Sequence, residues 1–285
     1  MSDSAKRKKG LLALHTASLL FGGTALFSKL IDLPALDITV VRSVFAVLAL
    51  FGLLLWRKSA FLLESKSHFW LMVLAGVLIG LHWVTYFHAM QVSSVAVGMI
   101  ALFTHPMMTI FLEPLFKRER PELVDIACGL LVFVGIFLMV PELSFGNDVA
   151  LGVFWGVCSA FFFSLRNVIQ GHYLSHYGGE LSMLYQGAVV VLLLMPFLGS
   201  VPTLGWQPWL MLVVLGVCFT ALPHVLFATS FKYLKTKTAS LIACLQPVYG
   251  ACFAAVLLGE YPTLATIIGG VIIVTASAWE SYRSR

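Results

Sequence analysis

Three histidines lie near the middle of long apolar segments of this chain, where side chains that titrate or donate hydrogen bonds are unusual. They are His82, His105 and His224, and each falls near the middle of its segment. Because an unpaired polar group is costly in hydrocarbon, we expect these residues to face the protein interior. An imidazole can hydrogen-bond a solute or carry a proton near neutral pH, so the three could ring one cavity. The alternative is that they are neutral hydrogen-bonding groups that fix helix packing.

Two prolines in the middle of apolar segments mark further candidates. Pro106 follows His105, and Pro247 follows Gln246. A proline leaves the carbonyl four residues earlier without its helical donor, so backbone polarity is exposed at mid-membrane. We therefore expect His105 and Gln246 to contact a solute. Hydrogen bonding between helices is the competing interpretation.

Aromatic residues recur at helical spacing near these positions. They are Trp83, Tyr86 and Phe87 beside His82; Trp155, Phe162 and Phe163 in the segment 149–170; and Tyr249, three residues after Gln246. Such side chains could wall a cavity, although packing or an interfacial belt explains them equally.

Arg166 is the charged residue with the clearest potential to bind a solute. It lies in the inner half of the segment 149–170, beside Asn167 and Gln170, and that segment contains no acidic residue. The guanidinium could meet an anionic group of the substrate. Alternatively, the long side chain extends to the lipid headgroups.

Two other cations within the apolar segments have a simpler interpretation. Lys29 and Arg42 are predicted near the outer surface, close to Asp32 and Asp37. We expect them to be interfacial anchors or exposed ion pairs.

The residue types favour binding over catalysis. No carboxylate or nucleophile is predicted at the depth of the histidines, as acid–base catalysis by a membrane-embedded enzyme would require. The sequence contains no closely spaced set of metal ligands and no GxxxxGK[ST] phosphate loop. We therefore predict no catalytic residue, no metal and no cofactor, and an embedded enzyme is the alternative.

The composition predicts the elements that position these side chains. Hydrophobic residues make up 60% and charged residues 11%, whereas soluble domains are about half apolar and about a quarter charged. The apolar runs are about twenty residues long, enough to cross a bilayer. The sequence predicts an all-α integral membrane protein with ten transmembrane helices. Their approximate ranges are 10–31, 38–56, 69–90, 94–115, 122–140, 149–170, 180–199, 208–231, 238–258 and 262–281.

The two halves of the chain repeat each other at an offset of 141 positions. Landmarks related by this offset are Pro106 and Pro247, Glu119 and Glu260, Pro121 and Pro262, and Gly129 and Gly270. We predict a basic N-terminal segment at 1–9 and five-helix repeats at 10–140 and 149–281.

The distribution of lysine and arginine predicts that the second repeat is inverted. An odd number of helices forces the second copy to enter the membrane from the other side, so matching loops should exchange positive charge. The basic segment 117–120 matches the cation-free segment 258–261, whereas 91–94 lacks cations and matches 232–237, which carries three lysines. Both termini are then cytoplasmic. The net charge of +5 reflects membrane insertion and contact with lipid headgroups, not nucleic acid.

The proline and Glu-x-Pro pattern resembles that of a known transporter family. The segments ALFTHPMMTIFLEPLFKRERP at 101–121 and IACLQPVYGACFAAVLLGEYP at 242–262 are similar to the EamA branch of the drug/metabolite transporter superfamily. The resemblance implies a bundle with a central cavity, a bacterial inner-membrane location and transport of small organic solutes, often export of metabolites or amino acids. It also implies that Glu119 and Glu260 are packing landmarks, not substrate contacts.

These observations together predict a secondary transporter that works by alternating access. The solute would be a small organic metabolite, amino-acid-like or related, and the direction export. A flippase for a lipid or lipid-linked headgroup is the alternative, with Arg166, His172 and His176 as the candidate groove. The histidines leave proton coupling open, and the sequence does not define the substrate, the coupling ion or the oligomeric state.

Overall fold

The computed structural model describes residues 3–117, 123–139, 148–199, 204–230, 233–234 and 242–283, and these ranges contain helices and turns without a strand. The α-helices are α1 (Asp3–Thr24), α2 (Phe27–Leu30), α3 (Ala35–Trp56), α4 (Lys66–Val92), α5 (Val95–Leu102), α6 (His105–Lys117), α7 (Leu123–Met139), α8 (Asp148–Tyr173), α9 (Gly179–Leu194), α10 (Trp206–Gly216), α11 (Leu222–Ser230), α12 (Gln246–Leu258) and α13 (Leu264–Arg283). A 3₁₀ turn at Met195–Phe197 extends α9, and a π-helical turn at Val217–Ala221 joins α10 to α11.

The prediction of an all-α membrane protein is confirmed. Within the described ranges, six continuous helical stretches are long and apolar enough to cross a membrane, and four shorter helices are also apolar. These stretches fall at the positions of the ten predicted helices.

Two spans are interrupted just before their prolines. Helix α5 ends at Leu102, a turn occupies 103–104, and α6 begins at His105. In the second half a turn at 244–245 precedes α12, which begins at Gln246. A proline at the second helical position has no N–H to continue the preceding helix, so each span is divided into two shorter helices at the expected point.

The starts of two helices coincide at the offset seen in the sequence. Helix α6 begins at His105 and α12 at Gln246, which are 141 positions apart. Each start lies one residue before its proline, so the two segments have equivalent local structure at this point.

The core lies where helices of the first half pack against helices of the second. Helix α4 packs against α8 and α9, α3 against α9 and α10, α1 against α11 and α12, and α7 against α13. Helices α3 and α9 are antiparallel: Asp37 Oδ1 accepts a hydrogen bond from the Gly199 N–H at 3.1 Å, and Arg57 Nη1 donates to Glu180 Oε1 at 3.0 Å. Each contact joins the start of one helix to the end of the other.

Loops predicted on the outer side meet at one end of the bundle. Lys29 Nζ donates to the carbonyls of Gln91 and Ser93 and lies 3.8 Å from a Glu260 carboxylate oxygen. Glu260 also accepts the Val95 N–H at 2.9 Å, so it holds the start of α5. The Lys29 side chain is thus 25% exposed, and Glu260 is its ion-pair partner. The equivalent Glu119 lies outside the described residues.

Loops predicted on the inner side meet at the other end. Besides the Arg57–Glu180 pair, His176 Nε2 lies 3.4 Å from Glu64 Oε2, and His68 Nδ1 lies 2.9 Å from the Tyr177 hydroxyl. The basic segments at 118–120 and 235–237 lie outside the described residues.

Candidate functional site

One face of α4 forms the centre of the candidate site. His82, Trp83, Tyr86 and Phe87 lie three to five residues apart or adjacent, so they share a face of the helix. All four side chains are buried. Helix α8 packs closely against α4 and α5 because its residues Gly152 and Gly156 have no side chains that would hold the helices apart.

His82 is fixed by a pair of hydrogen bonds to α8. Its Nδ1 lies 2.7 Å from Ser159 Oγ, and the Ser159 hydroxyl donates to the His82 carbonyl at 2.9 Å. A hydroxyl has one proton, so Ser159 Oγ accepts from a protonated Nδ1, and Nε2 is left as the acceptor nitrogen. The ring stacks on Phe163 at 4.6 Å and on Tyr86 at 5.9 Å between centroids.

His105 joins the same cluster through Phe163. The two rings meet edge to face with centroids 4.9 Å apart. The His105 carbonyl accepts hydrogen bonds from Ser164 Oγ at 2.7 Å and from Thr109 Oγ1 at 2.9 Å. The start of α6 is therefore tied to α8, and Phe163 lies between His82 and His105.

His224 approaches the cluster from the second half. Its Nδ1 lies 2.6 Å from the Thr220 carbonyl, which can only accept, so Nδ1 carries the proton. Its ring meets Phe21 at 4.9 Å and Trp83 at 6.5 Å between centroids. The structure thus brings the three sequence-predicted histidines around the aromatic face of α4.

Arg42 is the residue that the sequence analysis placed wrongly. It is not an exposed anchor, because only 2% of it is exposed. Its Cζ lies 4.3 Å from the Trp83 ring centroid and 4.7 Å from that of Phe87, and Nη1 lies 3.4 Å from Thr220 Oγ1. Helix α3 begins at Ala35, three residues before the predicted start, so Arg42 is two turns into the helix and faces α4.

Thr220 is a site residue that the sequence analysis did not identify. It lies in the π-helical turn at Val217–Ala221, and its hydroxyl donates to the Leu215 carbonyl at 2.9 Å. The same oxygen is therefore the acceptor for Arg42, while the Thr220 carbonyl holds His224. Single π-helical turns often occur at functional sites, but no sequence pattern predicts this one.

Arg166 belongs to a separate polar network between α8 and α9. Nε donates to Gln186 Oε1 at 2.8 Å, Nη1 to Asn167 Oδ1 at 3.0 Å, and Nη2 lies 3.5 Å from Met183 Sδ. Gln186 in turn donates to Gln170 Oε1 at 2.9 Å. All three guanidinium nitrogens have a partner in the protein.

Three other predicted site residues make their described contacts elsewhere. Trp155 meets His88 edge to face at 5.3 Å. Gln246 and Tyr249 lie at the start of α12, which packs against α1 and α5.

The flippase candidates have different surroundings. His172 and His176 are exposed near the end of α8, where His172 packs on Tyr173 and His176 meets Glu64, whereas the described contacts of Arg166 lie between α8 and α9.

The cluster is buried at its centre and partly exposed at its edges. Phe87 is 0% and His82 5% exposed, whereas His105, Phe163 and His224 are partly buried. An open cleft of about 530 Å³ lies at the predicted outer end, lined by Ser28, Lys29, Ile31, Asp32, Leu33, Pro34 and Gln91.

One exposed group could coordinate a cation. The ligand atoms of Glu64, His68 and His176 lie within 4.8 Å of one another at the predicted inner end. Two of these groups already contact each other, and the third contacts Tyr177.

Comparisons with known proteins identify the family. The chain matches the EamA-like transporter family over residues 8–140 and 150–281. It is 27% identical to the uncharacterized transporter YxxF of Bacillus subtilis, covering 97% of this chain and 91% of that one. It is 27% identical to the pseudopaline exporter CntI of Pseudomonas aeruginosa, covering 94% of each, and 24% identical to human solute carrier family 35 member G1, covering 94% of this chain and 77% of the other.

A solved crystal structure shares the fold. Its TM-score is 0.66 at 19% sequence identity, with 98% of each chain covered. The matched relatives are transporters, not enzymes. The family match extends over both halves of the chain, and the chain therefore belongs to the EamA-like transporter family.

Proposed function

We propose that this protein is a secondary transporter that exports a small organic metabolite across a bacterial inner membrane by alternating access. The observation that carries the proposal is the central cluster of histidines and aromatic rings at the contact between the two halves. It combines His82, Trp83 and Tyr86 of α4 with Phe163 of α8 and His224 of α11. Helices that meet at such a cluster can open it to either side by moving relative to one another.

The relation between the halves supports this mechanism. The equivalent helices α6 and α12 start at positions 141 apart, and the equivalent pair α3 and α9 is antiparallel. When two repeats are antiparallel, each half can adopt the conformation of the other. This exchange gives access to the site from the opposite side of the membrane.

The substrate would bind to the central cluster, with His105 and the broken α5–α6 span at its edge. Imidazole nitrogens and backbone carbonyls supply hydrogen bonds, and the aromatic rings supply apolar contact. An amino-acid-like solute matches this combination of polar and apolar surface. The pseudopaline exporter among the relatives supports the export direction.

Transport in proteoliposomes tests the proposal. Purified protein would be reconstituted and supplied with a broad panel of labelled metabolites, with and without a proton gradient. We expect at least one solute to accumulate or exchange, and protein that moves none in either direction would contradict the proposal. Dependence on the pH gradient would indicate proton coupling.

A matched pair of phenylalanine variants links transport to the cluster. Phe163→Ala removes the ring between His82 and His105, whereas Phe161→Ala removes an exposed ring from the same helix. We expect Phe163→Ala to weaken transport and Phe161→Ala to leave it near the parent rate. Equal effects of the two changes would argue against this location.

A further inference from the structure

We infer that Arg42 binds a carboxylate group of the transported solute. The inference deepens the proposed function and rests on it, because it names the chemical class of substrate that the central cluster accepts. Arg42 lies on α3 next to Trp83 and Phe87 of α4, with its guanidinium over both rings.

The hydrogen bonding of the guanidinium shows which edge is free. Nη1 faces Thr220 Oγ1 at 3.4 Å, whereas Nε and Nη2 are buried and have no hydrogen-bond partner. Nε and Nη2 form the side edge of the planar group. A carboxylate binds to that edge through two parallel N–H···O bonds, one to each nitrogen.

The charge of Arg42 is also unpaired within the protein. Among the residues that the structure describes, no carboxylate oxygen lies within 4.0 Å of its nitrogens. The acidic residue on the same helix, Asp37, accepts a hydrogen bond from the Gly199 N–H instead. A buried cation without a counter-ion is unfavourable, so an anionic ligand at this edge would neutralise a charge that the protein leaves unmatched.

Arg166 provides the internal contrast. Its Nε and Nη1 donate to Gln186 and Asn167, and Nη2 faces the Met183 sulfur. Its side edge is already occupied by the protein, whereas that of Arg42 is not. The buried Arg42 and the partly buried Arg166 therefore differ in the feature that anion binding requires.

The side chains around Arg42 restrict the chemistry of the rest of the solute. Rings of Trp83 and Phe87 lie beside Arg42, Tyr86 packs edge to face on Phe87, and His82 stacks on Tyr86. These groups match a small organic carboxylate whose body is apolar or aromatic. A phosphate ester or lipid phosphate presents a different oxyanion, and the experiment separates these cases.

Thermal unfolding of the detergent-purified full chain tests the assignment. Each probe would be a small organic carboxylate paired with its uncharged amide, with inorganic phosphate, a phosphate monoester and an anionic lipid as further arms. We expect at least one carboxylate to raise Tm and its amide to have little effect. Stabilisation by the phosphate arms alone, equal stabilisation by acid and amide, or no stabilisation by any carboxylate would overturn the inference.

Variants of Arg42 test the residue itself. Arg42→Met removes the charge, and Arg42→Lys keeps the charge without the edge that carries two N–H donors. Arg57→Met removes an exposed arginine directly after the end of the same helix. We expect Arg42→Met to weaken carboxylate binding about 10- to 100-fold, as loss of charge-assisted hydrogen bonds does. Arg42→Lys should recover part of the affinity, and Arg57→Met should bind as the parent does.

The thermal stability of ligand-free Arg42→Met shows whether this variant is folded. Because Arg42 is buried without a counter-ion, Arg42→Met should unfold at the parent Tm or above it. Carboxylate binding unchanged in a folded Arg42→Met protein would overturn the inference. Transport of uncharged solutes alone would overturn it while leaving the transporter proposal intact, whereas failure to transport any solute would contradict the proposed function itself.

Discussion

Two arginines lie among the helices, and their surroundings give them different roles. Arg166 joins α8 to α9 by donating to Gln186 and Asn167. Arg42 lies over Trp83 and contacts Thr220 through one nitrogen only. A cation whose donors are satisfied within the protein stabilises the structure, and one with free donors is available to a ligand.

Replacement of Arg166 should therefore lower stability. Arg166→Met leaves the buried Gln186 Oε1 and the partly buried Asn167 Oδ1 without this donor. An unsatisfied group that is buried, as that of Gln186 is, costs about 1–3 kcal/mol. Thermal unfolding in detergent should show a lower Tm for Arg166→Met than for the parent. Arg57→Met is the control, because an exposed ion pair contributes about 0–1 kcal/mol. An Arg166→Met protein as stable as this control would contradict the structural role.

At the scale of single residues, the positions of the histidines were easier to predict from the sequence than the position of Arg42. His82, His105 and His224 stand out as polar residues in the middle of apolar runs, and the structure places all three around α4. Arg42 lies close to a predicted helix end, so hydropathy alone could not separate an interfacial cation from a buried one. Only the neighbouring helices reveal its position.

Close helix contacts position the site at the scale of the elements. Helix α10 ends at Gly216 directly against the Arg42 turn of α3. A Cβ at residue 216 would lie 2.5 Å from the Arg42 carbonyl oxygen and 2.6 Å from Phe45 Cβ. The absence of a side chain at this point lets the π-helical turn reach Arg42.

A pair of glycine substitutions measures this contact. Gly216→Ala should force α10 away from α3, and overpacking of this kind costs about 1–3 kcal/mol. Gly52→Ala is the matched control, since a Cβ at residue 52 has no neighbour within 4 Å. We expect a lower Tm for Gly216→Ala and an unchanged or slightly higher Tm for Gly52→Ala. Equal Tm values would show that the two helices are not in close contact.

The helix breaks were predictable, whereas the π-helical turn was not. A proline removes a backbone donor wherever it lies in a helix, so Pro106 and Pro247 indicate the interruptions before His105 and Gln246 from sequence alone. The π-helical turn at Val217–Ala221 depends on packing between α10 and α3, which no local pattern encodes.

The whole molecule is organised by contacts between its halves. Segments predicted on the outer side contact one another through Lys29 and Glu260, and segments predicted on the inner side through Arg57 and Glu180. Such a division follows from the distribution of cations along the sequence. The burial of the centre of the cluster could not be predicted, because a sequence does not indicate which conformation of a transporter is populated.

Access to the cluster from both sides of the membrane is the central claim, and cysteine labelling tests it most directly. Ser159 is fully buried beside His82, so Ser159→Cys places a thiol in the cluster with a minimal change of size. The native cysteines would first be replaced. Asp32→Cys and Glu64→Cys would then mark the predicted outer and inner ends.

Oriented membrane vesicles would be treated with an impermeant thiol reagent applied to one side at a time. We predict that Asp32→Cys reacts only from the periplasmic side and Glu64→Cys only from the cytoplasmic side. Ser159→Cys should react slowly from both sides, because each opening of the bundle exposes the cluster to one of them. Reaction of Ser159→Cys from a single side, or from neither, would contradict alternating access through this cluster.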